Sequence, residues 1–370
     1  MLKRNRPTHD YFAEMTVESI LVTGGAGFVG SNLAIAFKRD RPATTVIAFD
    51  NLKRRGSELT LSRLRAAGVE FVHGDVRSPD DLAAVGPIGI LIEASAEPSV
   101  HAGYGGDPNY LIHANLFGAA NCLEHARRHG AAFVFLSSSR IYPIEPLRAL
   151  LLEPSAERFV LRDGFAQTGV SAAGISEQFP LTGARSLYGA TKLAAELLIE
   201  EYHAMYGLRT VINRCGVLAG PWQMGKVDQG FVVLWLARHL FGGQLAYMGF
   251  GGNGLQVRDI LHIDDLYDVI LRQLDNLDRH SGGLFNVGGG MARSVSLREL
   301  TAFSQKLAGR SIEIGRIDET RDADIPYYVT DCEVVTRATG WQPKRSVEQI
   351  LDDIWHWLVS ERTKLEPILS

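Results

Sequence analysis

The sequence is short of cysteine, of long apolar runs and of net charge, and each shortage excludes a class of protein. Its 370 residues hold three cysteines, Cys122, Cys215 and Cys332, with no CxxC pair. They form neither a disulfide framework nor a cysteine zinc site, and they suit a reducing cytosol. The histidines show no HExxH spacing. His262 with Asp264, the nearest approach to a metal pair, reads better as a strand end entering a helix. No apolar run reaches the ~20 residues that span a bilayer. Residues 1–14 are polar and carry no apolar core of a signal peptide, so a cytoplasmic location is expected, with no membrane partner. A formal net charge of −4 offers no basic surface for nucleic acid. An anionic small substrate stays open, because a few local arginines suffice to hold one.

What the chain does have is a regular alternation. Short apolar, β-branched runs at 20–22, 46–49, 69–72, 88–92, 133–136 and 210–212 are separated by helical patterns, among them 32–39, 57–67, 116–129 and 188–206. Runs apolar on both faces indicate a parallel sheet covered on both sides. Beyond Gly216, glycine-rich turns at 242–243, 249–254 and 288–290 break up shorter elements. The expected fold is α/β, a doubly wound parallel sheet with a smaller, discontinuous α/β lobe. In the helix over 188–206, Leu193, Leu197 and Leu198 read as a common stripe. Residues 259–274 read as a strand and then a helix capped by Asp264 and Asp265.

Thr23-Gly24-Gly25-Ala26-Gly27-Phe28-Val29-Gly30 follows the first strand and opens a helix. A dinucleotide needs a tight turn there, close backbone approach to its pyrophosphate and close helix–strand packing. Free N–H groups at the helix start then hold the phosphates. Asp50 ends the second strand at the spacing of a ribose-binding acid, although a turn acid in Asp50-Asn51 is the plainer alternative. Asp50 repels a 2′-phosphate and so favours NAD over NADP. The basic run Lys53-Arg54-Arg55 argues the other way, or is a solvated loop face. Asp75-Val76, after the third strand, is placed at the adenine edge, and Ala94-Ser95-Ala96 beneath the cofactor. The expected organisation is a tail over 1–16, an NAD-binding domain over 17–215 with a returning segment 259–283, and a substrate lobe from 216–258 and 284–366.

Tyr188-Gly189-Ala190-Thr191-Lys192 opens a helix, so Tyr188 and Lys192 lie one turn apart on one face. A free phenol ionises near a pH of ~10, while a base working at neutrality wants ~7. The Lys192 ammonium and a cationic nicotinamide ring are the groups that would close that gap. Ser137-Ser138-Ser139 follows the fifth strand, at the edge where such sheets bind ligands. A serine there can hydrogen-bond the oxygen that Tyr188 deprotonates, or simply end a strand.

In order along the chain, these motifs make the sequence resemble the extended short-chain dehydrogenases/reductases, specifically the NAD-dependent nucleotide-sugar epimerase/dehydratase family, over about 19–358. Besides the glycine loop and Tyr188/Lys192, the resemblance rests on Asn115-Leu116-Phe117-Gly118, Ser138 four residues before Tyr142, Gln256-Val257-Arg258-Asp259, Asn286-Val287-Gly288-Gly289 and Arg321-Asp322-Ala323-Asp324. It implies Ser138, Tyr188 and Lys192 as catalytic residues, and Gly24, Gly27, Phe28, Val29, Gly30, Asp50, Asn51, Asp75, Val76, Ala94 and Asn115 around NAD. Ser139, Arg140, Gln229, Arg258 and Arg321 are implied at the substrate. Arg258 and Arg321 suit a diphosphate, although either can instead be an ion-pair partner of Asp259 or Asp324.

Within the family the CDP-paratose 2-epimerase subgroup is the most similar, through Asp228-Gln229-Gly230, Gly252–Asp259 and an insertion over 143–187. Ser138-Ser139-Arg140 departs from the Thr-Asn-Lys usual there. The implied activity is epimerisation of a nucleotide-diphosphate sugar, CDP-linked in that subgroup, by a homodimer. A 4-epimerase is the alternative within the family. A 4,6-dehydratase needs a carboxylate beside the catalytic serine, which Ser139-Arg140 lacks. A silent NAD-binding structural or regulatory protein is the alternative from another class.

Overall fold

Seven strands build one parallel sheet: β1 Ser19–Thr23, β2 Thr45–Asp50, β3 Glu70–His73, β4 Ile90–Glu93, β5 Ala132–Ser138, β6 Thr210–Cys215 and β7 Gly283–Val287. Across the sheet they run β7-β6-β5-β4-β1-β2-β3. The order reverses direction between β1 and β4, so a crevice opens at the carboxyl ends of those two strands. The computed structural model describes residues 19–165, 167–226 and 229–370. The expected tail over 1–16 and Asp228 lie outside the described residues.

β5 is buried along its whole length, as a central parallel strand with helices on both faces must be. Helix α1, Phe28–Asp40, covers one face beside the helix Ile263–Asp275, with Phe37 and Tyr267 edge to face between them. Helices α2, Gly118–His129, and α3, Leu187–Tyr206, cover the other, over Leu91, Phe133 and Phe135. Each such fully buried side chain contributes about 1.5–3 kcal/mol of transfer free energy.

Two readings of these helices are corrected. On α3, Leu197 and Leu198 face outward, 57% and 37% exposed. The buried stripe is Thr191, Lys192, Ala195, Glu196 and Ile199. Spacing identifies the helix, but its inner face carries two charged groups that find partners inside. The helix Ile263–Asp275 is capped by His262, whose Nδ1 accepts from the Asp264 N–H at 3.1 Å. Asp264 and Asp265 instead bind Arg345 from the first turn.

The smaller lobe holds a four-stranded sheet of Val217–Ala219, Val257–His262, Ser294–Ser296 and Tyr327–Tyr328. Helices Phe231–Phe241, Leu297–Ala308 and Val347–Ser360 pack around Trp235 and Trp357. Val257–His262 thus belongs to the smaller sheet, and the chain rejoins the large one in its edge strand, Gly283–Val287. Residues 143–187 form two short hairpins tied to the smaller lobe. Arg158 binds Glu299, and the Ile175 N–H donates to Val329 O at 2.7 Å. Among the described residues no helix is long and apolar enough to cross a membrane.

Candidate active site

The glycine loop leaves β1 and enters α1, and its residues divide the work. A Cβ on Gly30 would stand 2.1 Å from the Gly24 carbonyl oxygen, and one on Gly24 would stand 2.7 Å from that of Ala94. Those two glycines seat the helix and strand against each other. Gly27 meets only Gly24 O, at 3.1 Å, and so keeps one side open to the groove. It begins α1 with no side-chain cap and no acid in the first turn, which leaves the helix N–H groups for phosphate.

The groove, about 470 Å³, is lined by Gly24, Gly27, Phe28, Val29, Asp50, Asn51, Asp75, Val76 and Ala94. Asp50 accepts the Ala26 N–H at 3.1 Å and the Leu52 N–H at 2.7 Å, bracing the loop it faces. Burial raises its carboxyl above the ordinary range against those bonds. Asp75 is opposed by burial too, but bonds from Arg77 and Asn51 bring it down to about 2. Asn115 lies one layer behind the lining, in a single π turn His113–Phe117. Both its polar atoms are taken by the Glu97 backbone, at 2.7 and 3.1 Å, which fixes the loop after β4.

These residues fit NAD. The basic run lines this groove too, but its cations are engaged: Lys53 stands over the Tyr110 ring, Arg54 donates to Met224 O and Arg55 to Pro367 O. Purified protein is therefore expected to bind NAD at least tenfold more tightly than NADP by calorimetry, about 1.4 kcal/mol. Equal affinity would show that the basic run decides.

At the end of β5, the first turn of α3 presses against the outgoing chain. The Ser186 side chain caps α3 by accepting the Gly189 N–H. A Cβ on Gly189 would lie 2.0 Å from Arg140 O, so the glycine inside the Tyr/Lys motif is what lets α3 approach. Ser138, Tyr188 and Lys192 thereby line one cavity of about 350 Å³. This cavity and the groove share Phe28, Val29, Ala94 and Ala96 as wall. Ser137, next to Ser138 on the same wall, donates its hydroxyl to Glu196, which binds Arg214 at 2.7 Å. Arg214 reaches the Tyr142 hydroxyl, which donates to Asn286 Oδ1 at 2.8 Å. Burial pushes the Tyr142 phenol up to about 12, so that tyrosine is a structural post.

The far end of the cavity is cationic. Arg140 donates to Ala323 O, and Arg258 donates to Val257 O and Ile325 O. Neither is in an ion pair among the described residues. Asp259, the alternative partner of Arg258, accepts the Gly290 N–H instead. Arg321 does pair with Asp324, at 2.9 and 3.2 Å, and His101 approaches the same carboxylate at 3.4 Å. Burial, then the nearby Arg140, lowers the Arg258 guanidinium to about 9. A bound diphosphate would relieve both effects through fixed forks of donors. Ser139 and Gln229 line the same space.

Residues 20–288 match the NAD dependent epimerase/dehydratase family. The chain belongs to that family. It is similar to a CDP-paratose 2-epimerase of Salmonella typhi, 29% identical over 92% of this chain and 99% of that one. It is also similar to a UDP-glucose 4-epimerase of Erwinia amylovora, 26% identical over 92% and 96%. A dTDP-glucose 4,6-dehydratase of Streptomyces venezuelae, solved with NAD bound, superposes with a TM-score of 0.75 at 26% identity, covering 95% of this chain and 99% of that one.

As a member of the epimerase/dehydratase family the protein uses NAD, and the groove is where it fits. Sequence reading missed His101 and Gln223 on the cavity walls, and the buried Glu93 and Glu196 behind them. Among the described residues no cluster of three metal-binding side chains exists.

Proposed function

We propose that this protein epimerises a nucleotide-diphosphate sugar by transient oxidation to a keto-sugar, with a CDP-linked deoxyhexose as substrate and C2 as the carbon oxidised. The carrying observation is that Ser138, Tyr188 and Lys192 share one cavity with unpaired arginines and open onto the NAD groove. Tyr188 takes the proton of the sugar hydroxyl, Ser138 hydrogen-bonds that oxygen, and the Lys192 charge favours the phenolate. NAD, which the glycine loop and Asp50 would hold in the groove, would supply the acceptor and donor of hydride. Arg140 and Arg258 hold the diphosphate, so the keto-sugar can turn and present its other face.

Epimerisation rather than dehydration is supported by the lining. Asp324 is its only acid among the described residues, and it is tied to Arg321 and His101. CDP and C2 are supported by the likeness to the Salmonella typhi protein. The reading includes a cytoplasmic homodimer. The dimer is supported by the apolar outer side of α3 and the turn before α2, where Leu197, Met205, Tyr206 and Phe117 are each at least half exposed.

CDP-paratose carrying deuterium at C2, supplied without added cofactor, is expected to equilibrate with its C2 epimer and keep the label. Washout into solvent would replace hydride return by deprotonation. No conversion beside turnover of a UDP-hexose at C4 would move the reaction to that carbon.

A further inference from the structure

The last residue of β4, Glu93, is a carboxylate sealed inside the layer between the sheet and helices α2 and α3. It is 1% exposed, among Leu91, Cys122, Phe135 and Ala195. Its Oε1 accepts the Ser95 hydroxyl, and its Oε2 lies 3.5 Å from Lys192 Nζ, itself 2% exposed. Among the described residues Lys192 otherwise donates only to Leu136 O, at 2.9 Å, and it stands 4.5 Å above the Phe135 ring. The other titratable groups near this pair are Cys122 of α2 and Cys215 of β6, both held as neutral thiols by burial, and Tyr188 itself. Among the described residues no other cation pairs with Glu93, and no other carboxylate pairs with Lys192.

An isolated carboxylate at such a position costs several kcal/mol, and a lysine buried without an anion sheds its proton readily. Each of these two groups is therefore the other's reason to be charged. We infer that Glu93 is a positioning residue for proton transfer: it pins the Lys192 ammonium beneath Tyr188 and keeps it protonated. Glu93 touches Lys192 but does not itself line the substrate cavity, so its effect on Tyr188 passes through Lys192. The inference rests on Tyr188 being the base, and its test needs no substrate.

The test follows tyrosinate absorbance against pH in NAD-loaded protein, with the same curve for Tyr188→Phe subtracted to isolate Tyr188. In Glu93→Gln, Lys192 loses its anion, its charge falls away, and Tyr188 ionisation should move up by about one to two pH units. Glu93→Asp keeps the charge and should return most of the shift. An unmoved ionisation, or one that moves down, overturns the inference. Absence of a separable Tyr188 ionisation in the parent protein overturns the base assignment itself. A second measurement stands even if Glu93→Gln folds poorly. Lys192→Met strands the buried carboxylate, so adding Glu93→Gln to it should raise the melting temperature, and failure to do so also overturns the pairing.

Discussion

Tyr188→Phe is expected to leave a folded protein that holds NAD and has lost turnover of any nucleotide sugar by a factor of at least about 10²–10⁴, the usual worth of a positioned acid–base group. The change removes one oxygen from a half-buried side chain at the cavity wall. Circular dichroism and retained NAD report that fold and groove survive, while product formation reports the chemistry. Parent-like turnover in this variant would end the proposal that Tyr188 moves the proton. Ser138→Ala should be milder, because Ser139 lines the same wall.

The largest effect on stability is expected at Glu196. Its carboxylate, 1% exposed, binds the Arg214 guanidinium through both oxygens and receives the Ser137 hydroxyl. Burial works against the Arg214 charge, but the bonds to Glu196 hold it well above the ordinary guanidinium value. Glu196→Ala strands that guanidinium beneath α3, and breaking such a pair from one side costs about 3–5 kcal/mol. Urea unfolding measures it. A loss below ~1 kcal/mol would mean that Arg214 finds water or another acceptor when its partner goes.

The parts of the site that could be read in the sequence are the local ones. The glycine loop, Asp50 and the Tyr188/Lys192 turn depend on spacings of a few residues to a few tens. The backbone contacts of Gly24 and Gly30 explain why those positions tolerate nothing larger. The Glu93–Lys192 pair is different. Its members are 99 residues apart and meet only because β4 lies beside β5 under α3. Glu93 directly follows the apolar run 88–92, and nothing near it in sequence points to its partner.

Periodicity also has a blind side. It located α3 but could not show which face turns inward, because a stripe containing Lys192 and Glu196 does not look like a core. The short strands Val217–Ala219 and Ser294–Ser296 were invisible for a related reason: each exists by pairing with Val257–His262, far along the chain.

The path of the chain limits how this enzyme can acquire a new substrate. It leaves the cofactor domain after Cys215, returns after His262 and leaves again after Val287. The substrate lobe is therefore not a cassette that one exchange could replace, since three junctions would have to be matched at once. Residues 143–187 are the exception. They begin just after β5 and end where α3 starts, with both ends on the cofactor side, yet they are tied across the smaller lobe by Arg158 and Ile175. A single segment with two neighbouring ends can be traded as one piece. Large jumps in specificity have an open route through this insertion, while the remainder of the lobe must adapt one side chain at a time.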